Sequence, residues 1–530
     1  MATLLPPPKR VKVYHGIPEP EQEQPKPSPN IVVQFVAEND GQAIAPAVNL
    51  PSNVARDALE ALVNNIRKKD DDDDAIPFSF YVTLPADAAT PSNAPTRIVI
   101  SKSIESDVLN HPSHAFTQED LLVVHCSPQS VFKVRPATRC SSTLSGHTSP
   151  ILCASFSPTG TLLATGSGDT HARLWDLNTE TPSHVLKGHT GWVLCVEWEP
   201  RERKLATGGH DGHVRLWDPK TGKAIGDVMK GHSKWITSLA WEPAHINSAS
   251  PRLASSSKDG TVRVWSVATR RLEYALGGHT ASVNVVKWGG GGKGRRGILY
   301  TASSDRTVRV WDANGGKQLH VLKDHAHWVT TLTLNTDFVL RTGPFDHTNK
   351  RPSDDAEAQS LALARYEALL VTTPELLITG SDDHTLFLWS LFGSSSGDKP
   401  RPLSRLTGHQ RQIAHVAFSP DGRWAASAGW DGAIRLWDAS IRPGDDQGGR
   451  NRFVATLRGH VGAVYRLAWS ADSRMVVSAS RDSSVKIWDL KTYKLKVDLP
   501  GHTDEVYCVD FVADKVVSGG RDRTIKIWKH

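Results

Sequence analysis

Apolar residues in most of this chain fall in short runs separated by turn-forming residues. From Gly146 to Asp176 the sequence reads GHTSPILCASFSPTGTLLATGSGDTHARLWD, and the pattern returns with variations until residue 530. Short apolar runs bounded by turns such as PTG and PDG are typical of buried strands rather than helices. The pattern therefore predicts a long series of short strands.

The repeat can be counted at four positions. A Trp closes each unit, an Asp lies six residues before it, a Ser or Thr lies ten residues before it, and a His lies further upstream. In the first two units these residues are His147, Thr165, Asp169 and Trp175, and His189, Thr207, Asp211 and Trp217. The closing residues of all eight units are Trp175, Trp217, Trp265, Trp311, Trp389, Trp437, Trp488 and Trp528. Eight such units do not arise by chance.

These units resemble WD40 repeats, in which a period of about 40 to 45 residues with GH and WD signatures forms one four-stranded propeller blade. We therefore expect an eight-bladed β-propeller over residues 144–530. Three of the four recurring side chains, the His, the Ser or Thr and the Asp, look like a catalytic triad. Because the set is repeated in every unit, and because buried polar groups need partners, we interpret it as a structural tetrad of each blade.

Closure of the ring needs a strand from outside the repeats. The sequence stops two residues after Trp528, so the last unit lacks the outer strand that follows the Trp elsewhere. An unpaired sheet edge is unfavourable. We expect residues 129–143 to be a linker that supplies this strand, with residues 130–136 closing the last blade.

The fifth unit is longer than the others. From His325 to Trp389 the chain runs 64 residues, against 28 from His147 to Trp175. The insertion, about 338–372, contains a polar loop and a predicted helix, AEAQSLALARYEALL. Long loops of this kind are functional or disordered, and the sequence leaves both interpretations open.

Residues 30–128 have a different pattern, that of an α+β unit. A strand at 31–39, a turn at Asp40-Gly41, a helix over VARDALEALVNNI, later strands and a last strand LLVVHC at 121–126 are predicted. This order resembles a ubiquitin-like β-grasp. The preceding residues 1–29, rich in Pro, Glu and Gln, are expected to be a disordered tail. Within it, Pro8 to Val13 resemble a short nuclear-import signal, with an ordinary charged tail as the alternative.

Composition narrows the class of protein. The formal net charge is +6, which permits contact with an RNA-rich particle. The five Cys have no metal-binding or disulfide spacing, and no apolar run approaches the length of a membrane span, so a soluble protein of a reducing compartment is expected. We interpret the run from Lys69 to Asp74 as a solvated loop, with polyanion mimicry or cation binding as the alternative.

No catalytic motif stands outside the repeats, so we expect binding rather than catalysis. Three residues after the repeat His the residue type varies, and Trp192, Trp235, Trp328 and Glu505 are the binding candidates there, because Trp is a favoured interface anchor. Packing between blades is the alternative for these Trp. The Gly-rich segment GGGGKGRRG at 289–297 is not followed by the GK[ST] of a phosphate-binding loop. We therefore expect a flexible hairpin tip there, with Lys293, Arg295 and Arg296 available to RNA or an acidic surface.

The block QSVFKVRPATRCSSTLSGH, joining a β-grasp to a WD40 ring, makes the chain similar to the Notchless family of nuclear factors for large-subunit ribosome assembly. The resemblance implies that the metal-ion-dependent adhesion site of Midasin, an AAA ATPase, binds the ubiquitin-like domain and pulls on it, remodelling the pre-60S particle. In that family an acidic residue completes the shell of the partner's metal. The matching position is Glu119, with Asp120 as second choice. Mg²⁺ prefers such carboxylate oxygens.

Two hypotheses follow. The first is a monomeric, non-enzymatic 60S assembly factor of the nucleus, nucleolus and nucleoplasm that docks its propeller on ribosomal proteins, assembly factors and rRNA of the pre-60S particle. It would need no cofactor, membrane or small-molecule substrate, and Mg²⁺ would be held by Midasin. The alternative is a WD40 adaptor of ubiquitin ligation or signalling, whose β-grasp binds a receptor without a divalent metal.

Overall fold

Strands dominate the parts of the chain that the computed structural model describes. These parts are residues 30–37, 44, 46–54, 56–67, 78–83, 97–100, 104–109, 121–128, 134–291, 297–346, 351–391, 400–441 and 452–530. The chain divides between residues 132 and 133 into two compact units, and each has its own hydrophobic core.

Over its described residues, the N-terminal unit is a five-stranded sheet with one α-helix and one π-helical turn. In spatial order its strands are Val48–Pro51, Asn30–Ala37, Leu121–Pro128, Phe78–Thr83 and Arg97–Ile100. The first and the last strand in sequence lie side by side and run parallel, with Val32 opposite Leu121 and Ala37 opposite Cys126. This is the β-grasp arrangement that the sequence predicts.

Helix α1, Arg56–Arg67, covers one face of this sheet. Leu59 and Val63 are fully buried and lie one helical turn apart, so both belong to the same core as the sheet residues Phe35 and Phe80. The short helix predicted at SIESDVLN is a single π-helical turn, Glu105–Leu109. The Asp40-Gly41 turn, the acidic run, the N-terminal tail with its basic motif, Glu119 and Asp120 lie outside the described residues.

In the described part of the C-terminal unit there are eight antiparallel sheets, whose inner strands lie side by side, the last beside the first. From the innermost strand outward, blades one to four are Ile151–Phe156, Leu162–Ser167, Ala172–Asp176 and Thr181–Leu186; Val193–Trp198, Leu205–Gly209 and Val214–Trp217; Ile236–Trp241, Arg252–Ser257, Val262–Ser266 and Arg271–Leu276; and Val283–Gly289, Ile298–Ser303, Val308–Asp312 and Gln318–Leu322. Blades five to eight are Val329–Leu334, Leu376–Ser381, Leu386–Ser390 and Arg401–Leu406; Ile413–Phe418, Trp424–Gly429, Ile434–Asp438 and Phe453–Leu457; Val464–Trp469, Met475–Ser480, Val485–Asp489 and Lys494–Leu499; and Val506–Val512, Lys515–Gly520, Ile525–Lys529 and Arg139–Leu144.

Neighbouring blades are joined by large aromatic residues at the ends of the inner strands. The indole N–H groups of Trp198, Trp241 and Trp469 donate to backbone oxygens of the preceding blade at 3.0 to 3.1 Å. Each ring also packs in the core between its blade and the neighbouring one. Buried area and a satisfied N–H are thereby combined at one residue.

Blade two departs from the expected four strands. Its sheet has three strands, and the outer segment makes only isolated bridges, Val214 to Met229 and Trp217 to Ala224. Gly222 and Gly226 have φ of +67° there. This conformation interrupts a regular strand.

The expected closing strand at 130–136 is wrong in its position. Arg139–Leu144 pairs with Ile525–Lys529 and completes blade eight. Pro136 has no N–H for a ladder, the backbone N–H of Val134 donates to the Asp472 side chain, and Ala137 is fully buried. The stretch before residue 139 is therefore an anchored approach to the strand.

The blade-five insertion forms two helices over the residues that the structure describes. Helix α2 is Asp337–Thr342 and helix α3 is Asp355–Thr372. The carboxylate of Asp354 caps α3 by accepting from the Glu357 N–H at 2.7 Å. No helix in the described ranges is long and apolar enough to cross a membrane.

Both helices contact blades far from blade five. Arg201 and Arg203 of blade two form ion pairs with Asp355. The ring of Tyr366 stacks on His245 of blade three, with centroids 4.4 Å apart. The insertion therefore lies over the loops that join the first and second strands of several blades.

Helix α2 also reaches blade eight through an ion pair. Arg341 Nη1 donates to both carboxylate oxygens of Asp510, at 3.2 and 3.3 Å. The same carboxylate accepts from the backbone N–H groups of Phe156 and Phe511, at 2.9 Å each. Asp510 thus joins blade one, blade eight and the insertion.

We expect Arg341→Met to lower the free energy of unfolding by about 1–3 kcal/mol, because Asp510 is 7% exposed and would lose its cationic partner. Urea unfolding of the full chain measures this loss. Arg341→Met, Asp510→Asn and the double variant form a cycle that isolates the pair. Strictly additive losses would show that the two side chains do not interact.

Candidate functional site

The repeated tetrads are assembled as hydrogen-bonded chains. In blade one, His147 Nδ1 lies 2.8 Å from Asp169 Oδ2 and His147 Nε2 lies 3.0 Å from Thr165 Oγ1, while Trp175 Nε1 donates to the same hydroxyl at 2.9 Å. In blade two the corresponding distances among His189, Asp211, Thr207 and Trp217 are 2.9, 2.8 and 2.8 Å. The hydroxyl oxygen is buried between the indole and the imidazole, and so holds the two together.

The aspartates of these tetrads are strongly stabilised as carboxylates. Burial by itself would raise the pKa of Asp169, but the hydrogen bond and charge of His147 outweigh it and lower that pKa to about 2. Burial likewise opposes the shift in Asp259, where hydrogen bonds from Thr261 and His232 lower the pKa to about 2. Each Asp also receives the backbone N–H of the residue after the tetrad His. This geometry fixes the loop that carries the variable face residue.

That loop forms one half of a repeated surface feature, which we call the rim. The rim consists, in each blade, of the residue three after the tetrad His and the residue just before the tetrad Asp. The second donates its backbone N–H to the oxygen of the first, at 2.7 to 3.1 Å, in all eight blades: Gly168 to Pro150, His210 to Trp192, Lys258 to Trp235, Ser304 to Ser282, Asp382 to Trp328, Trp430 to Gln412, Arg481 to Ala463 and Arg521 to Glu505. These hydrogen bonds hold the backbone of the rim in the same geometry in every blade, while its side chains differ from blade to blade.

Blades two and three carry an aromatic column on the rim. The imidazole of His210 stacks on the indole of Trp235, with centroids 4.8 Å apart. Lys258 Nζ lies 3.9 Å from the Trp235 ring centroid, close enough for a cation–π contact. Trp192 packs at a tilt against His210 at 6.1 Å and stays 56% exposed. Trp235 is therefore used for packing, whereas Trp192 presents an open ring.

The other two rim candidates differ from each other. Trp328 is 51% exposed and contacts only its neighbour His327 among the ring contacts within the described ranges. The Glu505 carboxylate accepts from Tyr465 Oη at 3.1 Å and lies 3.2 Å from Arg481 Nε. Trp328 is open to a partner, and Glu505 already belongs to a network between blades seven and eight.

Five predicted site residues lie outside the described residues. They are Glu119 and Asp120 of the N-terminal unit and Lys293, Arg295 and Arg296 of the Gly-rich segment. For all five residues, the binding role remains a sequence-based prediction.

The centre of the ring holds a cavity of about 360 Å³. Inner strands and helix α2 line it, and its charged groups include Glu197, Lys287 and Arg466. Burial raises the pKa of Glu197. Burial also raises the pKa of the Cys153 thiol to about 12, so this thiol is not a nucleophile at neutral pH.

Sequence reasoning missed the contacts of the insertion. Arg341, Tyr366 and Arg201 gave no periodic or motif signal, because each meets its partner across blades, in the case of Arg341 at a separation of 169 positions. The column of His210 and Lys258 was also missed. The signal that could have found it is the residue before each tetrad Asp, which varies as strongly as the residue three after the His.

In the comparisons with known proteins, each of the two units matches a family model. The family model described as WD domain, G-beta repeat matches residues 138–176, 180–218, 224–266, 270–312, 400–438, 451–489 and 493–529. These segments omit blade five, where the insertion separates the first strand from the second. The model described as NLE (NUC135) domain matches residues 31–84.

Two relatives are similar over most of the length of this chain. Ribosome assembly protein 4 of Saccharomyces cerevisiae is 45% identical over 445 residues, which are 83% of this chain and 84% of that protein. Protein Notchless of Drosophila melanogaster is 41% identical, over 74% of this chain and 76% of that protein. Among solved structures, the computationally designed Ika8 protein aligns with a TM-score of 0.56 and 24% identity, over 75% of this chain and all of that chain. At that identity the structural likeness supports the fold alone.

Proposed function

The chain belongs to the Notchless family of WD40 proteins, and on that premise we propose that it is a non-catalytic ribosome assembly factor. Relatives of this family are named as ribosome assembly proteins, which supports a role in ribosome biogenesis. The finer proposal is that the propeller docks on the pre-60S particle in the nucleus. The N-terminal unit then presents Glu119 to the adhesion site of a Midasin-type AAA ATPase.

One observation carries the finer proposal. Strand Leu121–Pro128 is the central strand of the N-terminal sheet, with six register pairs to Asn30–Ala37 on one side and five to Phe78–Thr83 on the other. Glu119 precedes this strand by two residues, and the segment leading to the propeller follows it directly. A pull applied at Glu119 would reach the propeller along the covalent backbone of a single strand.

This connectivity suits a load-bearing contact. Force between residue 119 and the propeller would not have to pass through the helix or the outer strands of the small unit. Those elements would serve to hold the central strand in place by hydrogen bonds on both sides. A domain that is pulled in this way can transmit force without losing its core.

The chemistry at the contact point requires only a carboxylate. Mg²⁺ held by the partner prefers oxygen ligands and keeps open positions that an incoming carboxylate can fill. Glu119 supplies such an oxygen, with Asp120 as the neighbouring candidate. The chain itself would bring no metal to the contact.

The test is binding of the full chain to a purified Midasin adhesion domain, with Mg²⁺ or with a chelator. We expect Glu119→Ala to weaken binding at least tenfold, to the level seen with chelator, because a metal ligand is lost. Asp120→Ala is the matched control and should retain most of the affinity. Binding that survives chelation would contradict the proposal and favour an adaptor that binds a receptor without metal.

Docking on the particle is measured separately. The tagged chain should sediment with large-subunit precursors in nuclear extract, and Glu119→Ala should remain on them, because the propeller is intact. Sedimentation with ubiquitin-ligase or proteasome components instead would contradict an assembly role.

A further inference from the structure

The aromatic column of blades two and three ends at a position where the rim lacks a side chain. In blade two, the residue before the tetrad Asp is His210, and it stacks on the first rim residue of the next blade, Trp235. Arg481 of blade seven contacts Glu505 of blade eight in the same relation. In blade one the corresponding residue is Gly168, beside Trp192. The ring of Trp192 therefore has no neighbour where Trp235 has an imidazole.

The space over Gly168 is accessible without strain. A Cβ built on Gly168 would lie 3.8 Å from Trp192 Cδ1 and 3.4 Å from Ser149 Cβ, which are ordinary contact distances. Gly168 is also held in place, since its N–H donates to the Pro150 oxygen at 3.0 Å. The structure thus has a fixed open slot next to a Trp that is 56% exposed.

Charges around this slot favour a polyanion. Four exposed lysines lie in the loops and turns of blades two and three that form this face: Lys187, Lys230, Lys234 and Lys258. Within the described parts of the chain, none of them forms an ion pair with a carboxylate. The nearby carboxylates of Asp169, Asp211 and Asp259 are bonded to their tetrad histidines. A chain of phosphates would meet exposed cations here, while these three acids, with side chains 5 to 9% exposed, lie below the surface.

We propose that the slot over Gly168 is a stacking site for a base of single-stranded RNA, with the lysines of blades two and three contacting its phosphates. A base in the slot would extend the column of Lys258, Trp235, His210 and Trp192 by one ring. Flat aromatic faces combined with cations are the features with which proteins bind single strands. The inference rests on the proposed function, because it names the partner of the propeller face on a ribosomal precursor.

An acidic polypeptide is the competing partner class. It would also meet the lysines, but it would not need an open ring face of the size of a base. RNA accounts for the charge and for the slot together. The two classes are separated by the experiment.

The test uses the full chain and fluorescein-labelled decaadenylate, followed by anisotropy at several salt concentrations. Trp192→Ala should weaken binding about tenfold, which corresponds to about 1.4 kcal/mol. Gly168→His should have a similar effect, because the chain's own His210 shows that this residue fills the slot at the equivalent place. Gly168→Ala should stay within about twofold of wild type.

Salt dependence gives an independent readout. Each phosphate contact contributes about −0.7 to the slope of log K against log salt for a single strand. Lys234→Ala should make the slope less negative by about that amount. Trp192→Ala should leave the slope unchanged.

Controls make the proposal refutable. Trp430 is an exposed rim Trp of blade six that packs against Tyr465, so Trp430→Ala should bind decaadenylate as wild type does. Equal affinity for a ten-base-pair duplex, no binding by wild type, or equal binding by Gly168→His would overturn the proposal. So would loss of particle association in Trp192→Ala with unchanged RNA affinity, which would assign the slot to a polypeptide. None of these results depends on Glu119 or on metal.

Discussion

Removal of the strand Arg139–Leu144 is expected to prevent stable folding of the propeller. This strand is the outer edge of blade eight and forms five register pairs with Ile525–Lys529. Leu144 packs with Ile525 in the core that joins blades one and eight. Ser141 donates to Glu180 of blade one at 2.6 Å, and Lys529 pairs with the same carboxylate. The first and the last strand of the propeller unit are thereby fixed together at one seam.

The expected loss is a large part of the total stability. Burial of a Leu contributes about 1.5–3 kcal/mol, and each of the ladder hydrogen bonds contributes about 0.5–1.5 kcal/mol net. Their sum is about 4–10 kcal/mol, against about 5–15 kcal/mol for a typical domain. Thermal unfolding of the fragments 134–530 and 145–530 measures the difference.

The shorter fragment should aggregate or melt far below the longer one. A synthetic peptide covering 134–145 should restore part of the loss, since the seam needs the strand and not the chain connection. Equal melting temperatures for the two fragments would show that the ring closes without this strand.

As the pH falls, we expect the propeller to lose more stability than the formal net charge of the chain alone would suggest. The pKa of the unfolded Asp is about 3.9, whereas those of Asp169, Asp259 and Asp431 in the folded chain are about 2. The native state therefore binds fewer protons than the unfolded state in this range. Stability that is present above about pH 4 is lost as the pH falls towards about 2.

The histidines act in the same direction at higher pH. Burial lowers the pKa of His232, His279 and His502. An unfolded His has a pKa of about 6.5 and takes up a proton before a buried one does. A loss of stability should therefore begin below about pH 6.5, before the loss that comes from the carboxylates.

The variant Asp169→Asn measures how much the charge of one tetrad carboxylate contributes to stability. Its side chain is 5% exposed, and because its pKa in the folded chain is lowered to about 2, the ionised carboxylate stabilises the folded state at pH 7 by about 1–3 kcal/mol. Urea unfolding at pH 7, 5, 3.5 and 2.5 should show this deficit shrinking as the pH falls. Asp514→Asn, at an exposed turn, is the matched control and should not differ from wild type. A deficit that is independent of pH would mean that the charge of Asp169 is not what stabilises the blade.

Most of the fold could be predicted from the periodicity of the sequence. In all eight tetrads the Ser or Thr and the Asp lie ten and six residues before the Trp, and the strands lie where apolar runs between turns predict them. The helix of the N-terminal unit followed equally well from Leu59 and Val63, because apolar residues at i and i+4 lie on one face of a helix. The closing strand was misplaced because VFKVRPA is more apolar than RCSSTL, while pairing depends on where Pro136 and the anchored Val134 leave the backbone.

The sequence predicted the candidate sites less completely than it predicted the fold. Trp192 and Trp235 occupy the same position of the repeat and could not be told apart. The structure separates them by their neighbours, because His210 and Lys258 cover Trp235 while Gly168 leaves Trp192 open. A variable position shows that a side chain faces outward, but not which neighbours meet it.

The sequence by itself determined the repeat, its blade tetrads and the division into two units, because each of these depends on contacts within one blade or one short segment. The tertiary structure alone decided which strand closes the ring, how the insertion crosses to blades two, three and eight, and which rim Trp is open. These features depend on pairs such as Arg341 and Asp510, distant along the chain, whose meeting is set by ring geometry. That geometry cannot be predicted from local secondary-structure propensity or from the spacing of residues along the chain.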